Sequence, residues 1–217
     1  MSDDDLKEMN PLDDGDLERR LSLSIADQQH KQHDRLGDAV SDILAALHLK
    51  GAHFDETPRR VADMLQEFCQ YDEQDLVELL KSGFEQPEGK AGLVVQRHIP
   101  FIGACAHHLV PFWGEAAVGY LPKKRIVGLS KLTRLVRAAG QCGPSTQEAV
   151  TNQVADVLYA TMDCQGVAVI TEAQHGCMAV RGVHAPQTIT AASAMRGLFL
   201  HGGAAREEFL ALARPQR

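Results

Sequence analysis

Two short segments concentrate the side chains able to do chemistry. Cys105-Ala106-His107-His108 offers one thiol and two imidazoles, and His175-Gly176-Cys177 adds a thiol and a third imidazole. Thiolate and imidazole are the ligands that zinc takes in a tetrahedral array. Three protein ligands leave a position for water and make a catalytic site; four close the sphere and make a structural one. If Cys105, His108 and Cys177 hold the metal, one position stays open, and His107 and His175 stand beside it as proton-transfer groups. A fourth ligand from His107 or His175 is the competing arrangement. A lone cysteine is often simply buried, and these segments do not follow the CxxC spacing of common zinc fingers. Spacing alone therefore does not choose.

A second group of residues suits an anion. Lys131 and Arg134 lie three apart and share a helix face. Gly128-Leu129-Ser130 precedes them, placing a turn and an exposed hydroxyl at the helix start. Helix N-termini attract anions, and the arginine fork matches phosphate oxygens. Arg181 follows Cys177 by four residues. A solvated helix face is the plain alternative. Gln147-Glu148 sets a carboxylate beside an amide, a pair able to accept from the N–H groups of a guanine edge. An exposed helix start explains the same pair.

The elements that must position these residues follow from the apolar pattern. Leu36, Val40, Ile43, Leu44 and Leu47 recur at helical spacing. Gly51 ends that run, and Thr57-Pro58 opens a second helix whose apolar face is Val61, Met64, Leu65 and Phe68. A third helical segment spans about 75–81. Extended runs follow at Leu93–Val95, Ile99–Phe101 and 115–122. Residues 130–139 and 147–162 read as helices, 167–173 as a strand, and 188–190 as the start of a last strand. Gly140, Gly143 and Pro144 predict a break between the two helices. Helices first, then strand pairs separated by helices, is an α+β order.

Composition sets the class. The chain has 217 residues, 44% hydrophobic and 24% charged, an ordinary globular balance. Its net charge is −7, and the first 20 residues hold eight acidic and three basic side chains. The body is nearly neutral, which argues against nucleic acid as a partner. No apolar run approaches a membrane span, and the N-terminus lacks a signal core, so a cytoplasmic protein with no membrane partner is expected. Five cysteines at irregular spacing argue against a disulfide framework. Cys69, Cys142 and Cys164 take no role in this reading.

Taken in order, the motifs resemble the GTP cyclohydrolase I family over roughly residues 35–210. The matching stretches are TPRRVADM at 57–64, CAHHLVPFWG at 105–114, VGYLP at 118–122, IVGLSKLTRLV at 126–136, TQEAVT at 146–151 and EAQHGCMAVRG at 172–182. The resemblance implies the tunnelling fold (T-fold): N-terminal helices, then an antiparallel sheet packed with two long helices, in an oligomeric barrel. It implies a homodecamer of two pentamers with active sites at subunit contacts. The corresponding division is an acidic flexible arm at 1–33, a helical region at 34–90 and a catalytic domain at 91–217. One zinc per subunit would be held by Cys105, His108 and Cys177, with His107 and His175 catalytic. Glu148, helped by Gln147, would recognise guanine. Ser130, Lys131, Arg134 and Arg181 would hold the triphosphate, with Arg60 reaching in from a neighbouring subunit. The reaction so implied opens the imidazole ring of GTP at C8, releases formate and gives 7,8-dihydroneopterin triphosphate, the entry to folate, other pterins and one-carbon metabolism.

The match has gaps. Ala106 stands where the family has a glutamate, and Gly103 where a serine is common. The family's Arg-x-Gln-x-Gln-Glu-Arg stretch reads here as Gly143, Ser145, Gln147, Glu148 and Ala149. Two further readings follow: a paralogue acting on a modified purine nucleotide or stopping at ring opening, and a zinc-stabilised nucleotide-binding assembly without turnover.

Overall fold

A computed structural model describes the backbone of residues 14–85 and 92–214 and the side chains of 27–85 and 92–214. The chain divides into two compact units, residues 1–66 and 67–217. No helix among the described residues is long and apolar enough to cross a membrane.

The first unit is helical. It holds α1 (Asp14–Ala46), a short 3-10 turn (Ala52–Phe54) and nearly all of α2 (Thr57–Glu67). A continuous helix thus takes in residues 14–33 of the stretch read above as an arm. Its Leu, Arg, Glu and Gln are good helix formers despite the acidic balance. Residues 1–13 of that stretch lie outside the described residues. His48 closes α1 in the left-handed region at φ 56°, and Leu49 N–H reaches back to the Leu44 carbonyl at 3.0 Å. Within the unit, His33 pairs with Asp63 at 2.9 Å and Gln66 donates to the Gln29 carbonyl. These contacts set α2 against α1.

The second unit is α+β, as the element order predicts. It runs α3 (Glu73–Leu80), β1 (Gly83–Glu85), β2 (Val94–Ala104), β3 (Pro111–Pro122), β4 (Arg125–Val127), α4 (Leu129–Gly140), α5 (Gln147–Thr161), β5 (Cys164–His175), α6 (Gly176–Ala179), β6 (Thr190–Gly197) and α7 (Ala204–Ala213). β2-β3-β5-β6 form one antiparallel sheet in that order, and β1 pairs with β4 in a separate ribbon. The two long helices, α4 and α5, cover one face of the sheet. Phe112, Ala116, Val118 and Tyr120 of β3 meet Val167 and Val169 of β5 there, with Leu132, Leu135 and Val136 of α4 and Val150, Val154 and Leu158 of α5. Their period-2 spacing on the strands is what a half-covered sheet requires. Each such side chain, fully buried, contributes about 1.5–3 kcal/mol.

α7 covers part of the opposite face. Phe209 packs edge-to-face on Phe199, and its ring rests on Gly119, where an added Cβ would come within 2.5 Å of it.

Register decides where the chemistry sits. Ala104 pairs with Pro111, so residues 105–110 are the β2–β3 turn. Phe112 pairs with His175, so β5 ends beside the start of β3. Both cysteine–histidine segments are thereby delivered to one end of the sheet.

Candidate active site

The β2–β3 turn folds the first segment onto itself. The Cys105 carbonyl accepts from His108 N–H at 3.2 Å and Leu109 N–H at 2.8 Å, and Leu109 adopts φ 54°. A turn of this kind sets side chains three apart on one side. Cys105 Sγ lies 3.8 Å from His108 Nδ1 and 3.7 Å from His107 Nδ1. Cys177 arrives from the far end of β5, one residue past Gly176. A Cβ on Gly176 would meet Val110 Cγ1 at 2.6 Å and the Pro111 carbonyl at 2.7 Å, so only glycine lets the segments approach this closely.

The ligand atoms of Cys105, His108 and Cys177 lie within 4.8 Å of one another, a set that could hold a metal ion. The chemistry of the donors fits a cation. Burial and then the neighbouring Cys105 thiol push the Cys177 thiol up, a tendency that a cation beside the sulfur would reverse. Arg181 touches His108 Nε2 from the following loop.

His175 is held on two sides. Its ring stacks on Phe112, with centroids 5.2 Å apart and planes at 15°. Its Nε2 lies 2.8 Å from Gln147 Oε1. Burial lowers the imidazole below its ordinary value, while the Glu148 carboxylate pulls the other way. Glu148 itself is exposed in the first turn of α5, where a carboxylate is favoured by the helix dipole.

Gln147 is 1% exposed, and its amide nitrogen donates to the Thr171 carbonyl, Thr171 Oγ1 and the Thr190 carbonyl. Its side chain is therefore engaged inside the protein, although the sequence reading groups it with Glu148 as a base contact.

The candidate phosphate residues lie on the first turns of α4 and in the loop after α6. Ser130 and Arg134 are exposed; Lys131 is half-buried and donates to Ser82 Oγ. Arg125 of the β1–β4 ribbon donates to the Lys81 carbonyl at 3.1 Å, which fixes the ribbon carrying Ser82. Arg60 lies on α2 of the first unit and is exposed.

Loop 141–146 runs beside the first segment. Ala106 N–H donates to the Ser145 carbonyl at 2.9 Å, and Ser145 N–H to the Ala104 carbonyl at 2.8 Å. Thr146 Oγ1 then caps α5 by accepting from Ala149 N–H.

A family model described as GTP cyclohydrolase I matches residues 36–214. The chain belongs to the GTP cyclohydrolase I family. Curated relatives named GTP cyclohydrolase 1 support the assignment across distant bacteria. The protein of Halalkalibacterium halodurans is 43% identical over 183 residues, covering 83% of this chain and 96% of the relative. Those of Dehalococcoides mccartyi and Aquifex aeolicus are each 43% identical over 159 residues, covering 72% and 73% of this chain and 82% and 83% of the relatives.

Within a GTP cyclohydrolase I framework, the gaps in the motif acquire a structural setting. A Cβ at Gly103 would meet the Phe112 ring at 2.6 Å, so a serine there shifts the ring that stacks on His175. Gly143 adopts φ 107°, a conformation that side chains rarely take. Sequence reasoning missed Phe112, Thr171 and Ser82. Nothing in their residue types signals a role; register and packing supply it.

Proposed function

We propose that the chain is a zinc-dependent GTP cyclohydrolase I that opens the imidazole ring of GTP at C8, releases formate and forms 7,8-dihydroneopterin triphosphate. The observation that carries the reading is the convergence of Cys105, His108 and Cys177 at the end of the sheet where His175 is held. Family membership and the named relatives support the substrate. Cys105, His108 and Cys177 are assigned as holders of one zinc per subunit. Such an ion supplies Lewis acidity that makes water nucleophilic near neutral pH.

The protein's own groups do the rest. His175 gives a proton to N7 of the purine as the ring opens, and His107, exposed beside Cys105, serves a second proton transfer near the ribose. Glu148 accepts from the guanine N–H groups. Ser130, Lys131, Arg134 and Arg181 bind the triphosphate, where bidentate arginine contacts match the phosphate oxygens. Lys131 exchanges Ser82 for a phosphate oxygen on binding. Arg60 joins the phosphates from a neighbouring copy. Residues 91–217 then form the catalytic T-fold, 34–90 its helical lead-in and 1–33 an acidic extension, assembled as a barrel-shaped homodecamer in the cytoplasm.

The test is direct. Zinc-loaded protein is incubated with GTP while formate and the fluorescence of the oxidised pterin are followed. Formate with pterin is the expected result. Formate alone means the reaction stops at ring opening. Neither product, with zinc retained, overturns GTP as substrate. One observation favours a modified purine nucleotide in that event: Gly143 and Ala149 stand where the family has arginines on either side of Glu148, and the loop takes a backbone shape suited to glycine.

A further inference from the structure

The hydrogen bonds around Gln147 form a chain whose directions are fixed at its ends. A carbonyl can only accept. The amide nitrogen of Gln147 faces two carbonyls, those of Thr171 at 3.1 Å and Thr190 at 2.9 Å. The nitrogen end is thereby assigned, and Oε1 is the atom turned to His175 Nε2, 2.8 Å away. The hydroxyls agree. Thr151 Oγ1 donates to the Gln147 carbonyl at 2.7 Å, so the 2.7 Å contact between the two threonine hydroxyls runs from Thr171 to Thr151. Thr171 Oγ1 is then left to accept from Gln147 Nε2 at 3.0 Å. The two hydrogens of the amide nitrogen serve three acceptors, one of them shared between the carbonyl and the hydroxyl of Thr171, and nowhere in the chain do two donors or two acceptors meet. Gln147, Thr151 and Thr171 are each 1% exposed or less, so water does not compete.

An amide oxygen cannot donate. His175 Nε2 must therefore carry the hydrogen. We propose that Gln147 is a positioning residue that locks His175 in the Nε2–H tautomer and leaves Nδ1 as the nitrogen that exchanges a proton with the substrate. The second half rests on the proposed function, in which His175 acts on the purine. The step is a proton moving from Nδ1 of the imidazolium to N7 of the base, leaving the neutral Nε2–H ring. The stacked Phe112 fixes the ring plane, and Gln147 fixes its rotation within that plane. A histidine's role is set by the hydrogen bond its other nitrogen makes. Here that bond comes from the first residue of α5, one position before Glu148. Glu148 and the ring are thus referenced to the same backbone.

Solid-state 15N NMR of zinc-loaded, 15N-histidine-labelled full-length protein reads the tautomer directly. The His175 signals are assigned by their loss in His175→Gln. The wild type is expected to show Nε2 as the pyrrole-type nitrogen and Nδ1 as the pyridine-type one. The opposite pattern, or an averaged pair, overturns the proposal. Gln147→Met keeps the volume and removes the acceptor; it is expected to give mixed tautomers, zinc content unchanged, kcat down about 10-fold or more and KM for GTP little altered. A fixed tautomer in Gln147→Met overturns the lock. A tautomer lost as expected with kcat intact overturns the assignment of Nδ1 and places the failure in the role given to His175.

Discussion

At the scale of residues, the candidate metal ligands depend on neighbours that have no chemistry of their own. Gly176 is the clearest case. Its missing side chain lets His175 and Cys177 lie against Val110 and Pro111, and a Cβ there would sit 2.7 Å from a backbone carbonyl that cannot rotate away. Gly176→Ala is expected to cost about 1–3 kcal/mol, as overpacking does, and to lower zinc content because the ligand segments move apart. Thermal melting and metal analysis on the same sample check both. The histidines behave differently. His107→Ala with His175→Ala is expected to retain zinc and lose at least about 100-fold in turnover, the scale of general acid–base catalysis. Loss of zinc in that variant means that one of them is a fourth ligand and the site is structural. The cysteines and histidines were legible from type and grouping. The glycine and Phe112 were not, because their roles exist only once β3 and β5 are in register.

At the scale of elements, the loop between α4 and α5 ties the start of α5 to the turn that carries Cys105. Its break was legible, since Gly140, Gly143 and Pro144 oppose a continuous helix. Its partners were not: the bond from Gly143 N–H to the Phe68 carbonyl and the pairing of Ala106 with Ser145 join residues far apart in sequence. At Gly143, with φ 107°, a side chain would be strained where glycine is not. Gly143→Arg, which restores the family's residue, is expected to destabilise by about 1–3 kcal/mol. Ala149→Arg, on the exposed side of α5, is expected to be neutral in stability, within about 0.5 kcal/mol. Denaturant titration of the two variants separates them. Equal effects mean that the loop relaxes to take a side chain at 143. Helix lengths tell the same story. The patterns at 130–139 and 147–162 place α4 and α5 to within a residue or so, because each is amphipathic and ends at a break. The strand read at 115–122 extends to Pro111 and that at 167–173 to His175, lengthened by cross-strand pairing that no local pattern encodes.

At the scale of the whole molecule, some of the apolar side chains left in solvent lie on the loops next to the cysteine and histidine segments. Leu109 is 50% exposed, Val180 68%, Val183 70% and Ile189 61%. Single exposed apolar residues are ordinary. Leu109, Val180 and Val183 lie within two residues of His108 or Arg181 in sequence, and a surface that another copy covers would account for them better than a wet loop. Charged neighbours would favour a wet loop, whereas aliphatic ones gain about 1.5–3 kcal/mol each when buried. The zinc-loaded protein is therefore expected to run as a large multiple of the 23.7 kDa chain in light scattering. Val183→Asp puts a charge into the covered surface without touching a ligand. It is expected to give smaller species, unchanged far-ultraviolet circular dichroism and a loss of turnover that follows the loss of mass. The coupling of size and turnover decides the matter. A variant that falls apart yet turns over normally shows that each copy carries a complete site, and Arg60 then has no role in a neighbour. A variant that keeps both its mass and its activity shows that the loops face water in the assembly, and the apolar side chains beside the metal ligands then need another explanation.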